Sequence, residues 1–137
     1  MPIKKYPHIK GSSVDRGIYY RLPKFLFENS EFKDLSVEAK VIYAKLLDLD
    51  EFSEKAGWYD EEGRVFVRYT LRRVEEFLNC SCHKAQDIFK ELGEEGVGLI
   101  TRVAQGRGTA SIIYVHRYDS QTDNRYAFWD NPAVLKK

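Results

Sequence analysis

Long apolar runs are missing from this chain. None approaches the ~20 residues of a membrane-spanning helix, so no membrane partner is expected. Cysteine is scarce, with two in 137 residues. That is too few for a disulfide scaffold. Their Cys-x-Cys spacing also strains a mutual bridge, which points to a reducing compartment. The basic N-terminus is not followed by an apolar h-region, so no secretory signal is expected and the cytoplasm is the expected location. A Gly-x-Ser-x-Gly elbow, a Walker sequence and a His-hydrophobe-His pair are also missing. No catalytic residue, cofactor or enzyme activity is expected. There is no internal repeat and no low-complexity stretch.

What remains is globular: 43% hydrophobic and 14% aromatic. A chain of this length buries roughly two thirds of its unfolded surface, enough for one domain without staples. Residues 1–18 read as a basic arm, 19–118 as the domain, and 119–137 as a tail or the start of a linker. Net charge is only +1, yet it is segregated. Residues 1–25 carry six cations and one acid, a net +5. Residues 36–62 carry three cations and eight acids, a net −5, and 68–118 return to +2. Such a distribution suits an anionic partner approaching one side.

Periodicity orders the elements. Residues 19–29, with Pro23, read as a strand entering a short helix whose first turn holds the proline. Residues 35–52 read as a strong helix, capped by Ser36 and burying Ala39, Ile42, Tyr43, Leu46, Leu47 and Leu49. Residues 57–69 read as a hairpin turning at Asp60-Glu61-Glu62-Gly63. Thr70 caps a helix over 70–78 with Leu71, Val74 and Leu78 on one face. Asn79-Cys80-Ser81 interrupts it, and Ser81 caps a second helix to Leu92, with Ala85, Ile88, Phe89 and Leu92 inward. Strands over 98–103 and 111–118 close a second hairpin around a Gly-rich loop. Two short helices about a tight turn, then a hairpin, make a winged helix-turn-helix. The class is α+β, mainly helical with two small β-hairpins.

Candidate site residues follow from that frame. His83, Gln86, Asp87 and Lys90 recur at i, i+3, i+4 and i+7, one outward stripe on the second helix. Gln reads adenine, Asp accepts from cytosine, His donates or accepts, and Lys meets guanine or phosphate. The same stripe also fits an ordinary solvated helix face. In the loop, Gln105, Gly106, Arg107 and Gly108 let backbone and one guanidinium approach a phosphate, or form a plain turn. No Gly-Lys-Ser/Thr follows, so this is no P-loop. Residues 93–98, "GEEGVG", read as a helix stop. Arg72 and Arg73 stand in a helix first turn, where cations oppose the dipole by some tenths of a kcal/mol unless a phosphate is near. They are otherwise two tolerated surface arginines.

Cys80, Cys82 and His83 resemble a metal site. Zinc wants four ligands in paired clusters, and His8 and His116 are the only other histidines. No metal is expected. Cys80 is expected to pack in the turn, and Cys82, at the first helical position, to favour its thiolate. Asp48, Asp50, Glu51 and Glu54 crowd a helix end and are expected to form a solvated acidic face.

The wording of "YYRLPKFLFENSEFKDLSVEAKVIYAKLLD" (19–48), "GWYDEEGRVFVRYTL" (57–71), "LNCS" (78–81) and "GVGLITR…QGRG…IYV" (96–115) resembles the N-terminal domain of the plasmid replication initiator A family. The resemblance implies a winged-helix protein, usually dimeric. It implies binding of double-stranded DNA at repeated origin sites, recruitment of host replication proteins, and no catalysis. It also implies roles for Lys84 and its exposed neighbours, and for Arg102, Gln105, Gly106 and Gly108. Family wings run basic-basic-Gln-Gly-x-Gly-basic-Pro-Asn; here Val103, Ala104, Thr109, Ala110 and Ser111 occupy the flanking positions. About three cationic positions are lost, each worth about one unit of salt slope. Lys4, Lys5, Lys10 and Arg16 of the arm are placed to compensate. Family initiators continue into a further C-terminal domain for host contacts, where this chain stops soon after the wing. A mobile-element repressor and a winged-helix protein-interaction module without DNA binding are the other readings the residues allow.

Overall fold

The computed structural model describes residues 18–106 and 108–118. Most of the basic arm, Arg107 and the tail lie outside the described residues. The element order is α1 (Phe25–Glu28), α2 (Val37–Ala56), β1 (Val67–Arg68), α3 (Leu71–Leu78), α4 (Cys82–Leu92), β2 (Ile100–Val103) and β3 (Ile112–Val115).

Helix α2 starts where its sequence says it should. The Ser36 hydroxyl accepts from the Ala39 N–H at 3.1 Å. Ser36 also donates its own N–H and O–H to the two Glu91 carboxylate oxygens, each at 2.8 Å. The start of α2 is thereby clasped to the end of α4. The helix runs to Ala56, four residues beyond the expected end. Glu54, Lys55 and Ala56 are sound helix formers, and the first residue to leave is Gly57, at φ 80.

The expected stripe is the core. Ile42, Tyr43 and Leu46 of α2, Val74 of α3, Ala85, Ile88 and Leu92 of α4, and Ile100 and Ile113 of the sheet are all fully buried. Burying an aliphatic side chain of this size is worth about 1.5–3 kcal/mol. The Tyr43 hydroxyl donates to the His116 carbonyl at 2.6 Å, so the buried ring keeps a partner. Burial pushes its phenol well above the ordinary range.

Three expectations change. Residues 18–22 form no strand, and Pro23 precedes the N-cap residue Lys24 instead of standing in the first turn. The Pro23 carbonyl accepts from Leu26 N–H at 3.2 Å. Tyr20 sits edge-on to Phe77 and accepts from Lys45. The first hairpin shrinks to one bridge, Tyr59 with Val65. Its outgoing strand, β1, pairs instead with β3, giving one antiparallel sheet in the order β1-β3-β2. Asp60 explains the narrowing: its carboxylate accepts from the N–H groups of Glu62 and Arg64 and closes the turn locally. The wing strands are also shorter than expected, four residues each.

Candidate nucleic-acid interface

Two caps build the helix-turn-helix corner. Thr70 Oγ1 accepts from the Arg73 N–H, and Ser81 Oγ from the Lys84 N–H, each at 3.1 Å. Between them, Asn79 ends α3 in the left-handed region at φ 55, which an Asn side chain tolerates. Cys80 is half-buried against the core, and Cys82 is exposed at the first position of α4. Among the described residues no group of three His, Cys, Asp or Glu side chains gathers as a metal ion would need.

Helix α4 divides as its periodicity predicts. Ala85, Ile88, Phe89 and Leu92 are buried, while Cys82, His83, Gln86 and Lys90 are exposed and Asp87 is half exposed. His83 Nε2 lies 3.7 Å from Asp87 Oδ2. Gln86 Nε2 reaches only the Cys82 sulfur, at 3.7 Å, a weak partner that leaves the amide free for other contacts. Lys84 does not belong to this stripe. At 100° per residue it falls between Asp87 and buried Ile88, and its ammonium lies 3.8 Å from Glu38 of α2.

Arg102 lies against the same helix, α4. It is the register partner of buried Ile113, so its side chain leaves the sheet on the α4 side. Its guanidinium lies 4.4 Å from the Phe89 ring centroid, and desolvation lowers its pKa. It shares a groove with Lys90, Glu94 and Glu95. Two cations and two carboxylates therefore line one groove at the C-terminal end of α4.

In the wing, Gln105, Gly106, Gly108 and Thr109 are all exposed. Gly106 and Gly108 adopt φ 108 and 78, a region that a β-carbon would disfavour. The Thr109 N–H donates to the Gly106 carbonyl at 3.3 Å. Gln105 reaches only the carbonyl of its neighbour Ala104, at 3.4 Å. Arg107 lies outside the described residues.

Arg72 and Arg73 are exposed at the start of α3, and neither pairs with a carboxylate among the described residues. Arg68 was not assigned a role from sequence, although strand alternation already turns it away from Val67. It donates to the Ala110 carbonyl at 3.1 Å and so ties β1 to the base of the wing.

One member of the acidic cluster, Asp50, departs from the expected solvated face. Asp50 is buried and accepts from Arg117 at 3.0 Å. Asp48 and Glu51 line a cavity of about 380 Å³ with Arg21 and Arg117. Only Asp50 is buried; Asp48, Glu51 and Glu54 remain exposed, as expected. No helix among the described residues is long and apolar enough to cross a membrane.

Element order, capped corner and three-stranded sheet together define a winged helix-turn-helix. Residues 18–128 match the family described as "Replication initiator protein A (RepA) N-terminus", and the chain belongs to that family. It is similar to three solved structures. "N-Terminal domain of DNA binding protein" is 28% identical with TM-score 0.65, covering 84% of this chain and 88% of that one. "Structure of Rep-DNA complex" is 27% identical with TM-score 0.64, covering 83% and 88%. "Structure of MDR initiator" is 34% identical with TM-score 0.65, covering 81% and 86%. A "41 kDa protein" of Lactobacillus helveticus is 25% identical over 95 residues. That match takes in 69% of this chain, and the chain spans about a quarter of the length of that curated relative.

Proposed function

We propose that this chain is the duplex-DNA-reading domain of a replication initiator, binding repeated sites in the origin of a plasmid or mobile element. The observation that carries the reading is α4: its apolar face is fully committed to the core, and its opposite face presents His83, Gln86, Asp87 and Lys90 beside an open wing. Gln86 and Lys90 are suited to base edges in a major groove, and the wing backbone and Gln105 to phosphate or minor groove. Arg72 and Arg73 face the backbone. The likeness to a Rep solved with DNA supports this use of the fold. The domain acts by binding and carries out no catalysis. It works in the cytoplasm as a homodimer on paired sites, and host replication proteins join it there.

Fluorescence anisotropy with origin-repeat and scrambled duplexes tests the proposal at about 50 and about 200 mM salt, a range over which phosphate-driven binding weakens steeply. The repeats are expected to bind more tightly at both concentrations. Equal affinity for the two duplexes at every salt would overturn the reading.

A further inference from the structure

A groove of about 340 Å³ lies beside the wing, away from the exposed face of α4. Phe52, near the end of α2, and Trp58, just after it, form one wall. Arg68 of β1, Thr70 and Arg73 at the start of α3, and Ala110 of the wing stand among the other lining residues. The two aromatic rings stand edge to face with centroids 6.1 Å apart. They are 61% and 46% exposed, so the fold leaves much of both rings in water. Adjacent large apolar surfaces of this kind mark contact sites more often than chance exposure does.

Charge distinguishes this groove from an ordinary apolar patch. Its lining holds two arginines and no carboxylate. Of the acids nearby, Asp50 pairs with Arg117, Glu51 with Arg21, and Asp60 and Glu62 with Arg64, while Glu54 and Glu61 stay exposed and outside the groove lining. Arg68 spends one N–H on the Ala110 carbonyl, and Arg73 pairs with no carboxylate among the described residues. Exposed ring faces flanked by guanidinium groups are the chemistry that holds unpaired nucleotides. A base stacks on the ring while its phosphate meets the cation.

We infer that this groove is a second nucleic-acid site, one that takes an unpaired strand of DNA. Trp58 and Phe52 supply the stacking surface, and Arg68 and Arg73 hold the backbone. Ala110 and Arg68 join the groove to the base of the wing, which brings it next to the proposed duplex-binding surface. That placement rests on the proposed duplex reading; the chemistry of the groove does not.

Trp58 reports on its own site. Trp129 is the only other tryptophan, so Trp129→Phe leaves Trp58 as the sole indole of the chain. An oligothymidylate of about ten nucleotides is expected to quench its fluorescence saturably, within the site sizes such surfaces cover. In anisotropy with the labelled oligonucleotide, Trp58→Ala and Arg73→Gln are each expected to weaken binding about tenfold or more. Trp58→Phe, which keeps a ring, should retain much of it. Far-ultraviolet circular dichroism verifies that each variant is folded, and Trp58→Ala, which lies outside the proposed duplex contacts, should also retain duplex binding. A Gln86→Ala, Lys90→Ala variant should lose duplex preference and keep strand binding, which separates failure of this site from failure of the duplex reading. Absence of saturable quenching would overturn the inference. So would equal strand affinity of Arg73→Gln and parent, or quenching by a Glu-rich aromatic peptide where the oligonucleotide gives none.

Discussion

The helix-turn-helix corner and the wing are built on different principles. In the corner every backbone decision is local. Thr70 and Ser81 cap their own helices three residues on, Asn79 supplies the left-handed residue, and one face of α4 is buried completely. In the wing little is local beyond a glycine turn. Its strands are four residues long, Ile113 pairs on both sides, and β1 arrives from the far side of α3 and α4. The bends of the corner are set by neighbouring residues, while the third strand of the wing sheet, β1, comes from before the helix-turn-helix.

That contrast breaks most easily at the core of the corner. Ile88 is fully buried beneath α4. Ile88→Ala is expected to destabilise the domain by about 2–5 kcal/mol, through lost transfer energy and the cavity left behind. Thr109→Ala, in the exposed wing turn, should stay within about 0.5 kcal/mol of the parent. Urea denaturation of the two variants checks this. Equal losses would mean that the wing is as integral to the fold as the corner.

Binding should sharpen the comparison in the opposite sense. Gln86→Ala removes a side chain with no strong partner in the protein, so stability should hardly change. On a preferred duplex it should cost about 1–3 kcal/mol of discrimination at one base position. Gln105→Ala in the wing should weaken all duplexes alike. A competition series with single-base variants of the site separates these outcomes. Uniform weakening by Gln86→Ala would remove α4 from base reading.

How much of this was legible in the sequence follows the same division. The caps at Ser36, Thr70 and Ser81, and the buried stripe of α4, could be read directly, because each involves residues within one or two helical turns. The stripe His83, Gln86, Asp87 and Lys90 followed by subtraction. Lys84 could not be placed that way: its partner, Glu38, is on another helix. The place of Arg102 over Phe89 could not be read either, because strand alternation alone does not say which face α4 covers. The partner of β1 was also hidden, since a short hairpin reading is satisfied by neighbours and the real pairing spans the whole helix-turn-helix. Asp50 of α2 looked solvated because Arg117, which pairs with it, is 67 residues away.

Asp60 gives the smallest effect and the one most specific to the sheet. Its carboxylate accepts from the Arg64 N–H at 2.8 Å, from the Tyr114 hydroxyl at 2.8 Å, from the Arg64 guanidinium at 2.8 Å and from the Glu62 N–H at 2.9 Å. The Arg64 backbone contact comes first among the causes that hold its pKa well below the ordinary carboxylate value of 3.8. Tyr114 belongs to β3, so this carboxylate joins the first turn to the wing sheet. A carboxylate whose folded pKa is depressed favours the folded state above its unfolded pKa. That contribution fades as pH falls below about 4 and towards the folded value. The parent should therefore lose stability with acid in this window. Asp60→Asn, which cannot ionise and presents an amide to the Arg64 guanidinium, should start lower at neutral pH and show a flatter profile below about pH 4. Denaturation midpoints at successive pH values from about 7 to about 2 measure both slopes. Parallel slopes would mean that the turn and the wing sheet are not coupled through Asp60, and that the wing's dependence on distant partners rests on strand pairing alone.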